Sequence, residues 1–275
     1  MPVGGGLVAV ALPYAEQVGA QALQVHAGNP RAWKPPLADA RTDETFAQHT
    51  QDRRLPVFVH SAYLVNLGSP VDATRAKSAQ AVRDAVTRGA RLGARGVVVH
   101  AGSAVDAGQR DTAYKLVREA LLPVLDDLRE ADPDVLVEPT AGGGQPLAAT
   151  VEDLAPWLAA LDDHPRLKVC LDTCHLFAAG HDLASPGGMR ATLNAYVRAV
   201  GRGRLGLVHA NDSRDPLGSR RDRHINIGDG MIGAEAFAEL FRHPATRNVA
   251  ILVETPAENS GQGRDIALLK SLRDR

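Results

Sequence analysis

Residues 95–138 read RGVVVHAGSAVDAGQRDTAYKLVREALLPVLDDLREADPDVLVE, and this stretch carries the pattern that sets the fold. Its first apolar run, Val97-Val98-Val99-His100, is β-branched and ends on an imidazole. A helical pattern follows over 111–131. The second run, Val135-Leu136-Val137-Glu138, ends on a carboxylate. Short apolar runs without polar alternation read as strands buried on both faces. Two such strands joined through a helix make a parallel βαβ unit.

Working outwards, the unit repeats. Apolar runs recur at Leu23-Gln24-Val25-His26, Val57-Phe58-Val59-His60, Lys168-Val169-Cys170-Leu171-Asp172, Leu205-Gly206-Leu207-Val208-His209 and Ile251-Leu252-Val253-Glu254. Helical spacing of apolar residues marks 78–93, 151–161, 189–200 and 234–241. Alternating strands and helices predict an α/β fold, a TIM (β/α)8-type barrel occupying 1–275 as one domain. Seven runs are legible where a closed barrel needs eight. Residues 6–20 read as the first helix, which leaves only Pro2-Val3 for an opening strand, so the first strand is expected to be truncated at the N-terminus. The polar, proline-containing segment 27–48 is expected to be a long loop with a short helix.

Composition narrows the class. With 44% hydrophobic residues in 275, a sizeable core is available. The net charge of −1 argues against indiscriminate nucleic-acid binding but leaves room for a local basic face. The apolar runs are too short and interrupted for a membrane span, and the start lacks the pattern of a signal peptide. Cys170 and Cys174, four positions apart, are a poor disulfide framework, so a reducing cytoplasm is expected, with a monomeric chain in it.

The chemistry lies at the strand ends. His60, His100, Glu138, Asp172, His209 and Glu254 each close an apolar run. A lone histidine there is ordinarily a hydrogen-bonded structural residue. In a TIM barrel, however, all strands end at one mouth, so three imidazoles and three carboxylates would crowd one pocket. Packed carboxylates repel and are costly to desolvate, and bound cations resolve the conflict. The ligand mixture suits Zn2+, with Mn2+ or Fe as substitutes. His175 follows Asp172 by three positions, so the chain must turn there and the two residues should serve different ions. Asp222 and His224, two apart, can share a face and grip one ion. Nine candidates are too many for one tetrahedral ion and enough for three. Cys174 is expected to be a packed thiol.

Several stretches resemble the endonuclease IV family, zinc-dependent apurinic/apyrimidinic endonucleases of the TIM-barrel type: VHSAYLVNLGSP (59–70), VVVHAGS (97–103), LVEPTAGGG (136–144), VCLDTCHLFAAGHDL (169–183), VHANDSRDPLGSRRDRHINIGDGMIG (208–233) and ILVETP (251–256). The resemblance implies a trinuclear zinc centre. His60 and His100 would bind a first ion and Glu138 would bridge it to a second. Asp172, His209 and Glu254 would complete the second, and His175, Asp222 and His224 would hold the third. It also implies that Arg31 and the pair Tyr63-Leu64 enter DNA at the lesion. Two departures stand out. The family usually opens with a short His-bearing strand before its Gly-rich turn, and His26 stands near a position that is usually aromatic.

The implied reaction is hydrolysis of the phosphodiester 5′ to an abasic site in double-stranded DNA, leaving a 3′-hydroxyl; blocked 3′ ends are a related substrate. Glu138 would position the attacking hydroxide between two ions, because paired ions supply nucleophile, charge neutralisation and leaving-group stabilisation together. Arg220, Arg221 and Arg223 are expected to hold flanking phosphates. The competing readings are a metal-dependent sugar isomerase or epimerase on a related barrel, which would not need His175, Asp222 and His224, and a catalytically dead DNA-binding module.

Overall fold

The computed structural model describes residues 6–33 and 39–275; Pro2-Val3, the expected remnant of a first strand, lies outside them. A π-helical turn, Leu7–Ala11, runs into α1 (Leu12–Gln17). Then follow β1 (Leu23–His26), α2 (Ala40–Asp52), β2 (Val57–His60), α3 (Asp72–Arg91), β3 (Gly96–His100), α4 (Arg110–Asp126), β4 (Asp134–Glu138), α5 (Leu154–Ala159) and β5 (Leu167–Asp172). The chain continues through α6 (Thr173–Ala179), α7 (Gly188–Val200) and β6 (Leu205–His209). A two-stranded ribbon of β7 (Asp212–Ser213) and β8 (His224–Ile225) precedes α8 (Ala238–Arg242), β9 (Ala250–Leu252) and α9 (Gly261–Arg273).

Seven parallel strands form one sheet in the order β1-β2-β3-β4-β5-β6-β9. The sheet curls as a TIM barrel, with helices outside. The strand runs read from sequence match to within about a residue, apart from Val253-Glu254, which lie just beyond β9. The segment 27–48 departs from expectation. It holds the start of a 13-residue helix, α2, which begins at Ala40 and continues to Asp52. Asp39 caps it by accepting from the Arg41 amide, and Asp43, buried in its first turn, pairs with Arg88 of α3 at 3.1 Å. A polar sequence hid a helix whose inner face is held partly by an ion pair. The expected helix over 234–241 is instead a 3₁₀ turn, Ala234–Phe237, continuing into α8.

Inside the barrel, side chains alternate along each strand. Phe58, Val98, Leu136, Cys170, Leu207 and Leu252 form one buried cluster. Each lies two positions before one of the six strand-end candidates, so the apolar layer forms the floor on which the polar layer stands. Leu136 fills the centre because its neighbours are glycines: a Cβ on Gly96 would come within 2.4 Å of its Cδ1. Burying each large apolar side chain stabilises by roughly 1.5–3 kcal/mol.

Among the described residues the sheet stays open between its first and last strands. Among the described residues β1 and β9 are its two edges and pair with nothing on their outer sides. A cavity of about 630 Å³ fills the seam, lined by Leu23 and Gln24 of β1, Ile251 and Leu252 of β9, and Ile266 and Leu269 of α9. Outside it, α1 is tied to α9 by Tyr14 Oη donating to Gln262 (2.9 Å), and the turn after α1 by Lys270 Nζ donating to the Gly19 carbonyl (2.6 Å).

Candidate metal centre

The period-two alternation that builds the floor carries His60, His100, Glu138, Asp172 and His209 to the mouth on β2 to β6. His100 lies opposite Glu138, and Asp172 opposite His209, in register. Glu254 is placed by its own backbone: its amide donates to Asn211 Oδ1 at 2.7 Å. Asn211 Nδ2 also donates to Asp172 Oδ2 at 2.6 Å, so one buried amide ties two carboxylate-bearing segments together. After β5 the chain turns directly into α6. Asp172 caps that helix by accepting from the His175 amide at 2.9 Å, so the turn that separates the two side chains is made by one of them. Asp222 and His224 reach the mouth from the loop that enters β8. The buried Asp212 carboxylate holds the far side of that loop region by accepting from the amides of Gly228, Gly230, Ile232 and Gly233. The approach is close enough that a Cβ on Gly230 would meet Asp212 Oδ1 at 2.4 Å.

All nine candidates fall into three groups, and in each group the possible ligand atoms lie within 4.8 Å of one another. The groups are His60, His100 and Glu138; Glu138, Asp172, His209 and Glu254; and His175, Asp222 and His224. Glu138 belongs to two. Two further groups include cysteines: Cys170 with Glu138 and His209, and Cys174 with Asp172 and His224. Burial pushes the Cys170 thiol up to about 12 and the Cys174 thiol higher still, which keeps both protonated and disfavours them as ligands.

Backbone hydrogen bonds fix which ring nitrogen His60 and His175 present. His60 Nδ1–H donates to the Ser61 carbonyl (2.8 Å) and His175 Nδ1–H to the Pro139 carbonyl (3.0 Å). Each ring then turns its other nitrogen to a carboxylate: His60 Nε2 lies 3.3 Å from Glu138, and His175 Nε2 lies 3.2 Å from Asp222. A lone pair facing carboxylate oxygen at such distances is repulsive unless a proton or a cation lies between. His224 Nε2 is buried and makes no hydrogen bond, although Asp222 is 3.0 Å and Asp172 3.5 Å away. Close approach without alignment is what a shared ion between donors produces. The donor set, imidazole and carboxylate with backbone-anchored rings, fits a divalent cation such as zinc.

The same geometry draws protons. Burial opposes charge on His224, yet Asp172 and Asp222 raise it to about 9. His175 is raised well above its ordinary value against the same burial, chiefly by Asp172 and Asp222. Burial likewise opposes ionisation of Glu138, but His209, His100 and His60 hold its carboxyl well below the usual range. Asp222 is lowered, against burial, by His175 and His224.

The remaining candidates are exposed. Tyr63 is 48% and Leu64 39% exposed. The Tyr63 ring stacks on His100 (centroids 5.9 Å apart) and meets His60 edge-on. Its amide donates to the carbonyl of Pro30 at 2.9 Å, the residue before the exposed Arg31. Arg220 and Arg221 are exposed on the loop before Asp222, and Arg220 adopts a left-handed backbone (φ 56°). Arg223 is engaged differently: its guanidinium pairs with both oxygens of Asp215. His26 shares the pocket without joining a group. Burial and His60 lower it to about 4, its Nδ1 has no partner, and its Nε2 lies 3.4 Å from Tyr63 Oη.

Sequence reasoning missed the residues behind the candidates, Gln24 and Asn211. Gln24 Oε1 accepts from His209 Nε2 and its amide nitrogen donates to Glu254. The signal for Gln24 was a polar amide inside an apolar strand run, two positions before His26 and hence on the inward face.

The chain matches the xylose isomerase-like TIM barrel family over residues 12–272. It is 49% identical to a probable endonuclease 4 of Streptomyces avermitilis, with 100% of this chain and 89% of the relative covered, and 48% identical to that of Streptomyces coelicolor, covering 100% and 94%. The crystal structure of endonuclease IV from Thermus thermophilus superposes with a TM-score of 0.84 at 33% identity, covering 100% of this chain and 97% of that one. A D-tagatose 3-epimerase-like protein also superposes (TM-score 0.73, 98% of this chain and 95% of that one), but at 16% identity it shares the fold alone. The chain therefore belongs to the endonuclease IV family, nucleases built on the xylose isomerase-like barrel.

Proposed function

We propose that this chain is a single-domain, monomeric cytoplasmic DNA-repair enzyme that hydrolyses the phosphodiester 5′ to an abasic site and leaves a 3′-hydroxyl, using three zinc ions. The observation that carries the reading is the meeting of nine imidazole and carboxyl side chains in three groups, two of them joined through Glu138. His60, His100 and Glu138 would hold one ion. Glu138, Asp172, His209 and Glu254 would hold the second, and His175, Asp222 and His224 the third. When bound, zinc ions neutralise phosphate charge, acidify water and stabilise a departing alkoxide.

The chain's own residues supply placement. Glu138, fully buried and shared by two groups, would be a ligand common to two ions and would position the nucleophile between them. The four carboxylates of the centre, against three divalent ions, leave the mouth positive, which favours a phosphodiester despite the chain's net charge of −1. Tyr63 leans on His60 and His100, Leu64 follows it exposed, and Arg31 follows Pro30, which the Tyr63 amide holds; from there the three would enter the base stack at the gap left by a missing base. Arg220 is exposed, as is Arg221, whose guanidinium lies 3.8 Å from Asp215, and both can meet flanking phosphates. With its guanidinium on Asp215, Arg223 is better placed to brace that loop.

Elemental analysis of the purified chain, alongside incision of a duplex with one abasic site, tests the reading. About three zinc ions per chain and a single break 5′ to the site are expected. One ion, or binding of the duplex without a break, overturns it in favour of an epimerase-type site or an inactive module respectively.

A further inference from the structure

β1 and β9 flank the seam, and no strand pairing joins them. A side chain does cross the gap. Gln24, on β1 and 8% exposed, donates from Nε2 to Glu254 Oε1 at 2.6 Å, just beyond β9, and accepts at Oε1 from His209 Nε2 on β6 at 2.8 Å. We infer that Gln24 is a positioning residue of the metal centre, holding the two open edges of the barrel together at the mouth and fixing the tautomer of His209.

The polarity of the hydrogen bonds dictates the chain of consequences. The ionised Glu254 carboxylate only accepts, so the amide nitrogen of Gln24 must face it. The amide oxygen is then left for His209, and it too only accepts. His209 Nε2 must therefore carry a proton, and in the neutral ring Nδ1 carries the lone pair. Nδ1 is the atom that faces the group: it lies 2.8 Å from Glu138, 3.1 Å from Glu254 and 3.9 Å from Asp172. The other tautomer would point a proton where a cation belongs. His60 and His175 are fixed by backbone carbonyls, which no substitution of a side chain removes. His209 alone among the three depends on a side chain, and that side chain comes from across the seam. Partners of this kind set ring orientation and ligand basicity, and losing one typically weakens metal binding about 10–100-fold.

This rests on reading the three groups as zinc sites, and the test separates the two. Zinc would be titrated into the metal-free wild type and into Gln24→Leu and Gln24→Glu at free zinc set by a competing chelator. In parallel, ring-15N histidine spectra of the zinc-loaded chains would report which nitrogen of His209 keeps its proton. In the wild type the proton should sit on Nε2. Gln24→Leu should weaken one ion per chain about 10–100-fold, leave the other two within about threefold, and lose the hydrogen-bonded Nε2–H signature of His209. Gln24→Glu should keep that signature, because its carboxylate still accepts from His209, yet weaken the same ion by repelling Glu254. It also serves if the leucine variant does not fold. Wild-type His209 protonated on Nδ1, or zinc affinities unchanged in both variants, overturns the inference. A wild type that binds no zinc sinks the metal reading instead, and the inference with it.

Discussion

The wall from β2 to β6 and the seam between β1 and β9 present candidate ligands to the same mouth by different means. In the wall, each strand is paired on both sides, and each ligand stands two positions above a buried apolar residue. His60, His100, Glu138, Asp172 and His209 are thereby positioned by backbone register. At the seam there is no register to use. Glu254 lies past the end of β9 and is held by the side chains of Asn211 and Gln24. Register holds the backbone of each wall ligand, although the ring of His209 still takes its orientation from Gln24, whereas the seam ligand Glu254 is only as well placed as its few hydrogen bonds. The ion shared by wall and seam should be the weakest point of the centre.

That contrast predicts unequal losses. Glu138→Ala removes the carboxylate that two groups share, so kcat on an abasic duplex should fall by on the order of 10³-fold or more. Glu254→Ala removes one donor from one group and should cost about tenfold less than that. Steady-state incision assays at saturating zinc measure both. Near-normal cleavage by Glu138→Ala would remove its bridging role, and equal losses would erase the distinction between wall and seam.

The next effect lies in the floor. Leu136 and Leu252 belong to one apolar layer, with 1% and 8% of their surface exposed. Leu136 is enclosed by paired strands, while Leu252 borders the 630 Å³ cavity. Truncating Leu136 opens a void the wall cannot close, so Leu136→Ala should cost about 4 kcal/mol. Leu252→Ala, beside space already present, should cost about 2 kcal/mol. Denaturant unfolding of the two variants gives the comparison, and equal costs would mean the seam is as tightly packed as the wall.

The wall was also the legible part of the sequence. Buried parallel strands need β-branched runs, and an inward ligand must follow at a fixed period, so both strand and ligand can be read from local pattern. Asp222 and His224 were readable by their spacing and by the family resemblance. What escaped was held by contacts distant in sequence. Gln24 is 185 positions from His209 and 230 from Glu254. Helix α2 was hidden because its buried face uses Asp43, paired with Arg88, where an apolar residue would have announced it. The edges of the seam, and the amide that spans them, appear only when the sheet is assembled.

A smaller effect is expected at the rim where wall and seam meet. Tyr63 follows β2 and leans on His60, His100 and His26 with nearly half its surface free. Base–aromatic stacking is worth about 1–3 kcal/mol. On that scale, Tyr63→Ala should reduce the preference for abasic over intact duplex about tenfold in kcat/KM while zinc content stays unchanged. Loss of zinc in that variant would show that the ring buttresses the wall histidines more than it meets DNA.

The smallest effect concerns the metal-free chain, in which protons replace cations. His224 titrates near 9 in the folded chain against 6.5 ordinarily, because Asp172 and Asp222 outweigh its burial. A raised imidazole favours folding fully below about 6.5, and that contribution is lost as pH climbs through 9. Asp222 has the opposite sign: its lowered carboxyl favours folding above 3.8 and ceases to as pH falls below that value. The chelator-treated chain should therefore keep its denaturation midpoint between about pH 4 and 6.5 and lose stability from about pH 7 to 9.5. With zinc bound, the lone pairs are occupied and that alkaline decline should flatten, since binding expels the protons whose loss caused it. Urea midpoints at about pH 6.5, 8 and 9.5, with and without zinc, decide the matter. A metal-free midpoint that rises with pH would mean that His224 is neutral in the folded chain and that its closeness to Asp172 and Asp222 needs another explanation.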